Sequence, residues 1–354
     1  MGRLTVLNVA YPLAPTGPNA VGGSEQILTA LDEALLEAGH TSIVLAMEGS
    51  QAAGELVTYS APPPDEPITE AVCTVQRAKV DRAMRRILQT RPVDFIHMHG
   101  LDFHFYLPPP GLPVLATLHL PPHWYPPCVW ECERPNTWLN CVSHNQLSHT
   151  WTNHRMLAPI SNGVPVEKLG AVRPRKSSYA LMLTRVCPEK GLHLALEAAH
   201  GAGSPLLIGG EIFPYPLHQE YFANEVKPQL DRLRRYLGPL GFVQKRRILA
   251  AARCLLIPSL VHETSSLVAM EAASCGTPVI AFPNGALPEV VEHGRTGFIV
   301  EDAKGMADAL GQIDEIDPEV CRHVARERFT LDRMTSAYIA RYQQLSGALA
   351  TAAA

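Results

Sequence analysis

Residues 4–10 form a near-continuous apolar run, the pattern of a strand buried on both faces of a parallel sheet. A loop rich in proline and glycine follows from Pro12 to Gly23, and then the period changes. Ile27, Leu28, Leu31, Leu35 and Leu36 recur at helical spacing and predict an amphipathic helix over 24–38, ended by Gly39. Apolar runs at 41–47, 94–98 and 113–118 read as further strands. Strands alternating with helices in this way predict a doubly wound α/β domain. Residues 165–178 interrupt the rhythm: they are Pro-rich, basic and aperiodic, which suits a hinge. The alternation restarts with a strand at 179–183, a helix at 190–202 and a strand at 205–208. Helices at about 219–237 and 244–252 and a strand at 254–257 complete it. Two Rossmann-like halves are expected, and such folds bind ligand outside the carboxyl ends of their strands.

Composition narrows the class. A chain of 354 residues suits two domains of ordinary size, and 46% hydrophobic content supplies two cores. The net charge of −4 gives no general attraction to nucleic acid. No apolar run approaches ~20 residues, so a soluble cytoplasmic protein is the expectation. Eight cysteines in a chain this long, with no signal-peptide pattern, read as reduced thiols.

The densest chemistry lies in residues 253–300. An apolar run ends in Pro258-Ser259, a helix is expected to start near Ser265, and a second apolar run follows Cys275-Gly276-Thr277-Pro278. Glu263 and Glu271 have seven residues between them. On one continuous helix they lie roughly 80° apart and can face one cleft. Carboxylates accept hydrogen bonds from sugar hydroxyls, and free N–H groups at a helix start donate to phosphate. By themselves the two acids also fit exposed helix charges.

The ordered set of short motifs resembles the retaining glycosyltransferases of family 4. It comprises residues 4–10, Val21-Gly-Gly-Ser-Glu25, Val93-Asp-Phe-Ile-His97, Thr117-Leu-His119 and Ile160-Ser-Asn-Gly-Val164. It continues with Leu183-Thr-Arg185, Pro188-Glu-Lys-Gly191, Glu263…Glu271, Gly285-Ala-Leu-Pro-Glu289 and Gly294-Arg-Thr-Gly-Phe298. The resemblance implies a GT-B fold: two Rossmann-like doubly wound domains facing a central cleft. Residues 1–165 would form an acceptor-side domain and 166–330 a nucleotide-sugar domain, with a helix at about 331–346 returning to the first.

It also implies roles. Arg185 and Lys190 would grip the donor diphosphate, since glycosyl transfer expels a nucleoside diphosphate whose growing charge needs fixed cations. Glu271 would hold the ribose hydroxyls, and Glu263 would sit by the donor sugar. The family often has Glu-x-Phe-Gly-Leu after the first glutamate; here Ser265 and Ser266 replace the aromatic and the glycine, and Leu267 is kept. Serine hydroxyls still donate to phosphate. Gly22 and Gly23 would allow close approach to diphosphate or sugar, and His119 would face the reaction centre.

The implied activity is transfer of a sugar, with retention, from a nucleotide diphosphate to the hydroxyl of a glycan, lipid or small molecule. No cofactor or metal is expected: two cations and helix amides offset the diphosphate charge, and no Asp-x-Asp stands at a strand end. The alternative is a catalytically degenerate relative that only binds nucleotide or sugar. A hydride-transfer enzyme lacks its G-x-G-x-x-G fingerprint here.

Two clusters stand apart. His97, His99, His104, His119, His123, His144, His149 and His154, with Cys128, Cys132 and Cys141, invite a zinc reading, but their spacing is not that of a zinc knuckle. Trp124, Trp130 and Trp138 in the same stretch suit an acceptor-side loop. The basic run Arg77, Lys79, Arg82, Arg85, Arg86 and Arg91 has Val75, Ala78, Met84, Ile87 and Leu88 as an expected apolar face. It reads as a solvated helix or as a weak peripheral contact with anionic lipid through 75–91.

Overall fold

The computed structural model describes residues 2–20, 22–63, 66–151, 153 and 155–352. Val21 of the glycine motif and His154 lie outside the described residues. The chain divides into two units, residues 1–162 with 332–354, and residues 163–331. No helix among the described residues is long and apolar enough to cross a membrane.

The first unit holds a parallel sheet of β1 (Thr5–Val9), β2 (Thr41–Met47), β3 (Glu55–Tyr59), β4 (Phe95–Met98), β5 (Val114–Leu118), β6 (Thr137–Cys141) and β7 (Met156–Leu157). Its order is β3-β2-β1-β4-β5-β6-β7, so the chain reverses direction across the sheet between β1 and β4. The strands are apolar throughout because both faces are covered. Leu7, Val9, Ile43, Leu45, Ile96 and Met98 pack with Val80, Met84 and Ile87 of the helix Glu70–Thr90. Val44 and Ala46, on the other face, pack with Leu28 of the helix Gly23–Glu37.

The basic helix is turned differently from its expected face. Val72, Gln76, Val80, Met84 and Ile87 are buried, whereas Val75 is 54% exposed. Arg77 bonds Glu70 and Asp102, Lys79 the Ser60 carbonyl, Arg85 Asp81, and Arg91 Glu55. Most of the cationic run is thus engaged within the protein, and Arg82 and Arg86 are the exposed remainder.

The second unit repeats the architecture with β8 (Ala180–Leu183), β9 (Leu206–Gly209), β10 (Arg234–Gly238), β11 (Cys254–Ile257), β12 (Val279–Ala281) and β13 (Gly297–Ile299). The order β10-β9-β8-β11-β12-β13 is parallel at every pairing and reverses between β8 and β11. Met182, Ile208, Leu256 and Ile280 face the helices Leu192–Gly201 and Ala303–Gln312. Leu181, Leu255, Val279 and Ala281 face the opposite layer, which includes Leu249, Met270 and Val324.

Three expectations are corrected. The helix expected at about 219–237 is a helix over Pro216–Tyr221 and a π turn over Phe222–Val226, ending at a 3-10 turn Lys227–Gln229; Arg234–Gly238 then forms an edge strand. Pro228 cannot continue a helix, and Asp231 Oδ1 accepts from the Leu233 and Arg234 N–H groups to make the turn. The Pro-rich segment 165–178 is not a free hinge. Val166 and Leu169 are buried in the second unit, Lys176 Nζ donates to Thr277 Oγ1 at 2.6 Å, and Ser177 N donates to the Ala251 carbonyl. The helix expected near Ser265 starts at Leu267, with consequences for the two glutamates described below.

From Asp332 onward the helix Leu331–Ala352 belongs to the first unit. Its Tyr338 and Tyr342, four residues apart on one face, are both fully buried. Tyr342 OH bonds His97 Nδ1 at 2.7 Å, His97 Nε2 bonds Thr117 Oγ1 at 2.8 Å, and Thr117 Oγ1 meets Tyr338 OH at 3.2 Å. Asn140 Nδ2 donates to the same tyrosine oxygen at 3.2 Å. Replacing Tyr342 by Phe keeps the ring against Phe95 but strands a buried imidazole nitrogen. Tyr342→Phe is expected to destabilise the first unit by about 1–3 kcal/mol, read from urea unfolding. An unchanged midpoint removes the network from the stability of this unit.

Candidate functional site

Reversal of strand order in the second unit leaves a crevice where the loops leaving β8 and β11 diverge, and ligands in open α/β sheets bind there. The β8 loop carries Arg185 and the 3-10 turn Pro188–Lys190; the β11 loop carries Ser259 and Glu263. The two are fastened by a hydrogen bond from Leu260 N to the Glu189 carbonyl at 2.8 Å. Gly191 sits at φ +67°, and a side chain there would meet the Pro258 carbonyl oxygen at 2.1 Å. Only glycine lets these loops approach so closely.

Lys190 Nζ and Glu263 Oε1 are 2.6 Å apart, with side chains 17% and 15% exposed. Ser259 Oγ donates to the same carboxylate oxygen at 2.7 Å, and Asn284 Nδ2 donates to the Ser259 carbonyl at 2.6 Å. Glu263 is held from behind as well: Ala286 N donates to its carbonyl at 2.7 Å, and Gly285 at φ +65° leaves the room that a side chain would take. Arg185 is exposed; its carbonyl accepts from Cys187 Sγ at 3.7 Å, and its guanidinium makes no hydrogen bond or ion pair among the described residues.

The two glutamates do not share a helix. Glu263 lies in an extended bridge with Gly285, and the helix runs from Leu267 to Ser274, so the 80° separation expected for a continuous helix does not apply. Glu271, 4% exposed, is on that helix and pairs with Lys245 at 2.6 Å. At the helix start Ser266 is buried and gives no side-chain cap, while the buried Ser265 Oγ has no partner among the described residues. The first N–H groups of the helix, with this hydroxyl, are the donors that an anion would take.

In the first unit His119 follows β5. Its Nε2 lies 3.1 Å from His99 Nδ1 and the two rings stack at 5.4 Å. His99 in turn lies 4.0 Å from the ring of His97. Burial holds the imidazoles of His97 and His99 well below their ordinary range, with the neighbouring histidines adding to it, and lowers His119 to about 4. All three are neutral at pH 7.

The glycine turn has an occupant the sequence did not suggest. Gly22 precedes the helix Gly23–Glu37, and a side chain on Gly22 would meet the Glu25 carboxylate at 1.9 Å. Glu25 is 5% exposed, and burial raises its pKa. The space opened by the missing side chain, at a helix end suited to anions, is filled by the chain's own acid. Among the described residues Cys128, Cys132 and Cys141 join no group of three that could hold a metal. Trp124 is 44% exposed and Trp130 is buried.

Sequence reasoning missed Lys245, Ser259, Asn284 and the His97–Tyr342 pair. Asn284 adjoins a noted motif; Lys245 carries no local signal, because its partner is 26 residues away.

Parallel sheets in this strand order, with cations and acids at the reversal, define a Rossmann-like α/β class, and comparison with known proteins refines it. A Glycosyltransferase Family 4 model matches residues 21–167, and a Glycosyl transferases group 1 model matches residues 178–314. Both halves of the chain thus match glycosyltransferase models, and the fold is GT-B. It is 31% identical to a glycogen synthase of Mycobacterium tuberculosis over 187 residues, covering 49% of this chain and 44% of that protein. The chain therefore matches less than half the length of that relative. Sucrose-phosphate synthase from Thermosynechococcus elongatus superposes with a TM-score of 0.77 at 19% identity, over 98% of this chain and 100% of that one. HepE of Anabaena in complex with UDP-glucose superposes with a TM-score of 0.69 at 16% identity, over 99% and 100%.

The histidine stack has a pH signature. A depressed folded-state pKa means that the unfolded chain binds more protons, so this stabilisation is present above about pH 6.5 and is lost as pH falls through about 4. Urea midpoints of the first unit are expected to fall across that window. His99→Gln should flatten the fall, and a slope identical to that of the parent chain would contradict the assignment.

Proposed function

We propose that the protein is a retaining glycosyltransferase that moves a sugar from a nucleoside diphosphate to an acceptor hydroxyl. The observation that carries this reading is the Lys190–Glu263 pair, buttressed by Ser259 and adjoined by the exposed Arg185, at the strand-order reversal of the second unit. Arg185 and Lys190 stabilise the charge that develops on the departing diphosphate. The helix start at Ser265, Ser266 and Leu267 adds N–H and hydroxyl donors. Glu271 takes the ribose hydroxyls, and Glu263 orients both Lys190 and the sugar. His119 enters as a neutral imidazole, a hydrogen-bonding group rather than a cation.

Retention follows from the family resemblance. Transfer needs no metal, since protein cations and amides meet the diphosphate. The acceptor is the hydroxyl of a glycan, a lipid or a small molecule, and the net charge of −4 argues against nucleic acid.

Incubation with a panel of nucleotide sugars, assayed for released nucleoside diphosphate, tests the reading. Turnover is expected with one donor class, and Arg185→Ala and Lys190→Ala should each lower it about 10²-fold or more. Release from no donor, together with a thermal shift by a nucleoside diphosphate, would instead indicate a binding protein without catalysis.

The two glutamates should fail differently. Glu271→Gln is expected mainly to weaken calorimetric binding of the nucleoside diphosphate. Glu263→Gln, which can still receive a hydrogen bond from Lys190, should lower kcat more than nucleotide affinity. The reverse pattern would exchange the two roles.

A further inference from the structure

We infer that Cys187, Glu189 and His218 form a site for one Zn²⁺-like divalent transition ion, which straps together the loops leaving β8 and β9. One sulfur, one oxygen and one nitrogen ligand atom from these residues lie within 4.8 Å of one another, the one such group among the described residues. They come from two separate connections. Cys187 precedes the 3-10 turn Pro188–Lys190 and Glu189 lies in it, whereas His218 lies on the helix Pro216–Tyr221 beyond β9.

An independent observation points to a ligand. His218 is only 9% exposed, and its Nδ1 is buried without a hydrogen-bond partner. A buried polar nitrogen normally has a partner, and a missing one calls for a ligand to supply it. Glu189, partly buried, makes no ion pair among the described residues, although its carboxylate lies beside the Cys187 thiol.

The donor set selects the ion. Mg²⁺ and Ca²⁺ prefer all-oxygen shells, whereas a mixed thiolate, imidazole and carboxylate shell suits Zn²⁺ with water in the fourth position. On binding, the metal takes the place of the Cys187 thiol proton, which leaves to solvent. A dication, a thiolate and a carboxylate then sum to zero charge, which a mostly buried site tolerates. Cys187 is fully buried, so the ion enters from the side of Glu189, where the fourth position is open to water.

The strap has a mechanical meaning. The β8 and β9 connections are also joined by a hydrogen bond from Val186 N to the Glu211 carbonyl at 2.9 Å and by the Tyr221 hydroxyl, which meets His193 N at 3.1 Å and His193 Nδ1 at 2.8 Å. A metal adds a further, stronger tie at the turn that carries Lys190. The inference does not depend on the sugar-transfer reading, because metal binding is measured without any donor.

The test uses the full chain freed of metal by a chelator and titrated with Co²⁺, then with Zn²⁺ against a chromophoric competitor. One equivalent is expected, with thiolate-to-cobalt charge-transfer absorption. Zn²⁺ should raise Tm in a concentration-dependent way. Cys187→Ser should abolish the charge-transfer band. His218→Gln should weaken binding by at least about 100-fold, since losing even an outer partner of a metal ligand costs about 10- to 100-fold. Cys128→Ser and Cys132→Ser should bind like the parent chain. If Cys187→Ser does not fold, Glu189→Gln carries the test: weaker binding with the thiolate band retained supports the site, and unchanged affinity overturns it. Absence of a thiolate band in the parent chain, or its loss in Cys128→Ser or Cys132→Ser instead, also overturns it.

Discussion

The contact between Lys190 and Glu263 depends on two loops that leave neighbouring strands and then diverge. Strand order in the second unit reverses between β8 and β11, so the loop carrying the lysine and the loop carrying the glutamate emerge side by side. Their close approach requires glycine at position 191, where a side chain would meet the Pro258 carbonyl, and the loop after β12 approaches Glu263 because position 285 is also glycine. Ser259 and Asn284 then fix the carboxylate from behind. A partly desolvated cation and anion held so close are worth more than an exposed pair, and each keeps the other oriented when a ligand arrives.

The same logic recurs at Glu271, whose carboxylate is more deeply buried and is matched by Lys245 from a different helix. A buried acid without a partner is costly. Both carboxylates expected to meet ligand hydroxyls are therefore already compensated within the protein. The helix end near Ser265 is the opposite case, with a buried hydroxyl that has no partner among the described residues. The second unit thus pairs Glu263 and Glu271 with lysines and leaves a hydroxyl donor open at the helix start, which suits a ligand carrying both hydroxyls and phosphate.

In the first unit, burial rather than charge pairing sets the chemistry. His97, His99 and His119 stand in a row at the ends of β4 and β5, each kept neutral by its surroundings. The row is anchored by tyrosines 245 and 221 residues away in sequence from their partners His97 and Thr117. A helix from the far end of the chain thereby determines how a strand-end histidine is presented.

Much of this was legible from residue order. Fully covered parallel strands must be apolar on both faces, so the runs at 41–47, 114–118, 180–183 and 254–257 declared themselves. The edge strand Arg234–Gly238 did not, because it is covered less completely and Leu230, Leu233 and Leu237 in and before it fall at spacings that also fit a helix. Arg185 and Lys190 were visible as cations following a strand, and Glu263 and Glu271 as acids between two apolar runs. What residue order could not state was which groups meet. Glu263 and Glu271 stand on different kinds of backbone, Lys245 finds Glu271, and Glu25 folds onto Gly22. Local pattern reports burial and backbone shape, both properties of a few neighbouring residues. Partnership between side chains is decided only when distant segments are packed, because distance and desolvation belong to the folded chain.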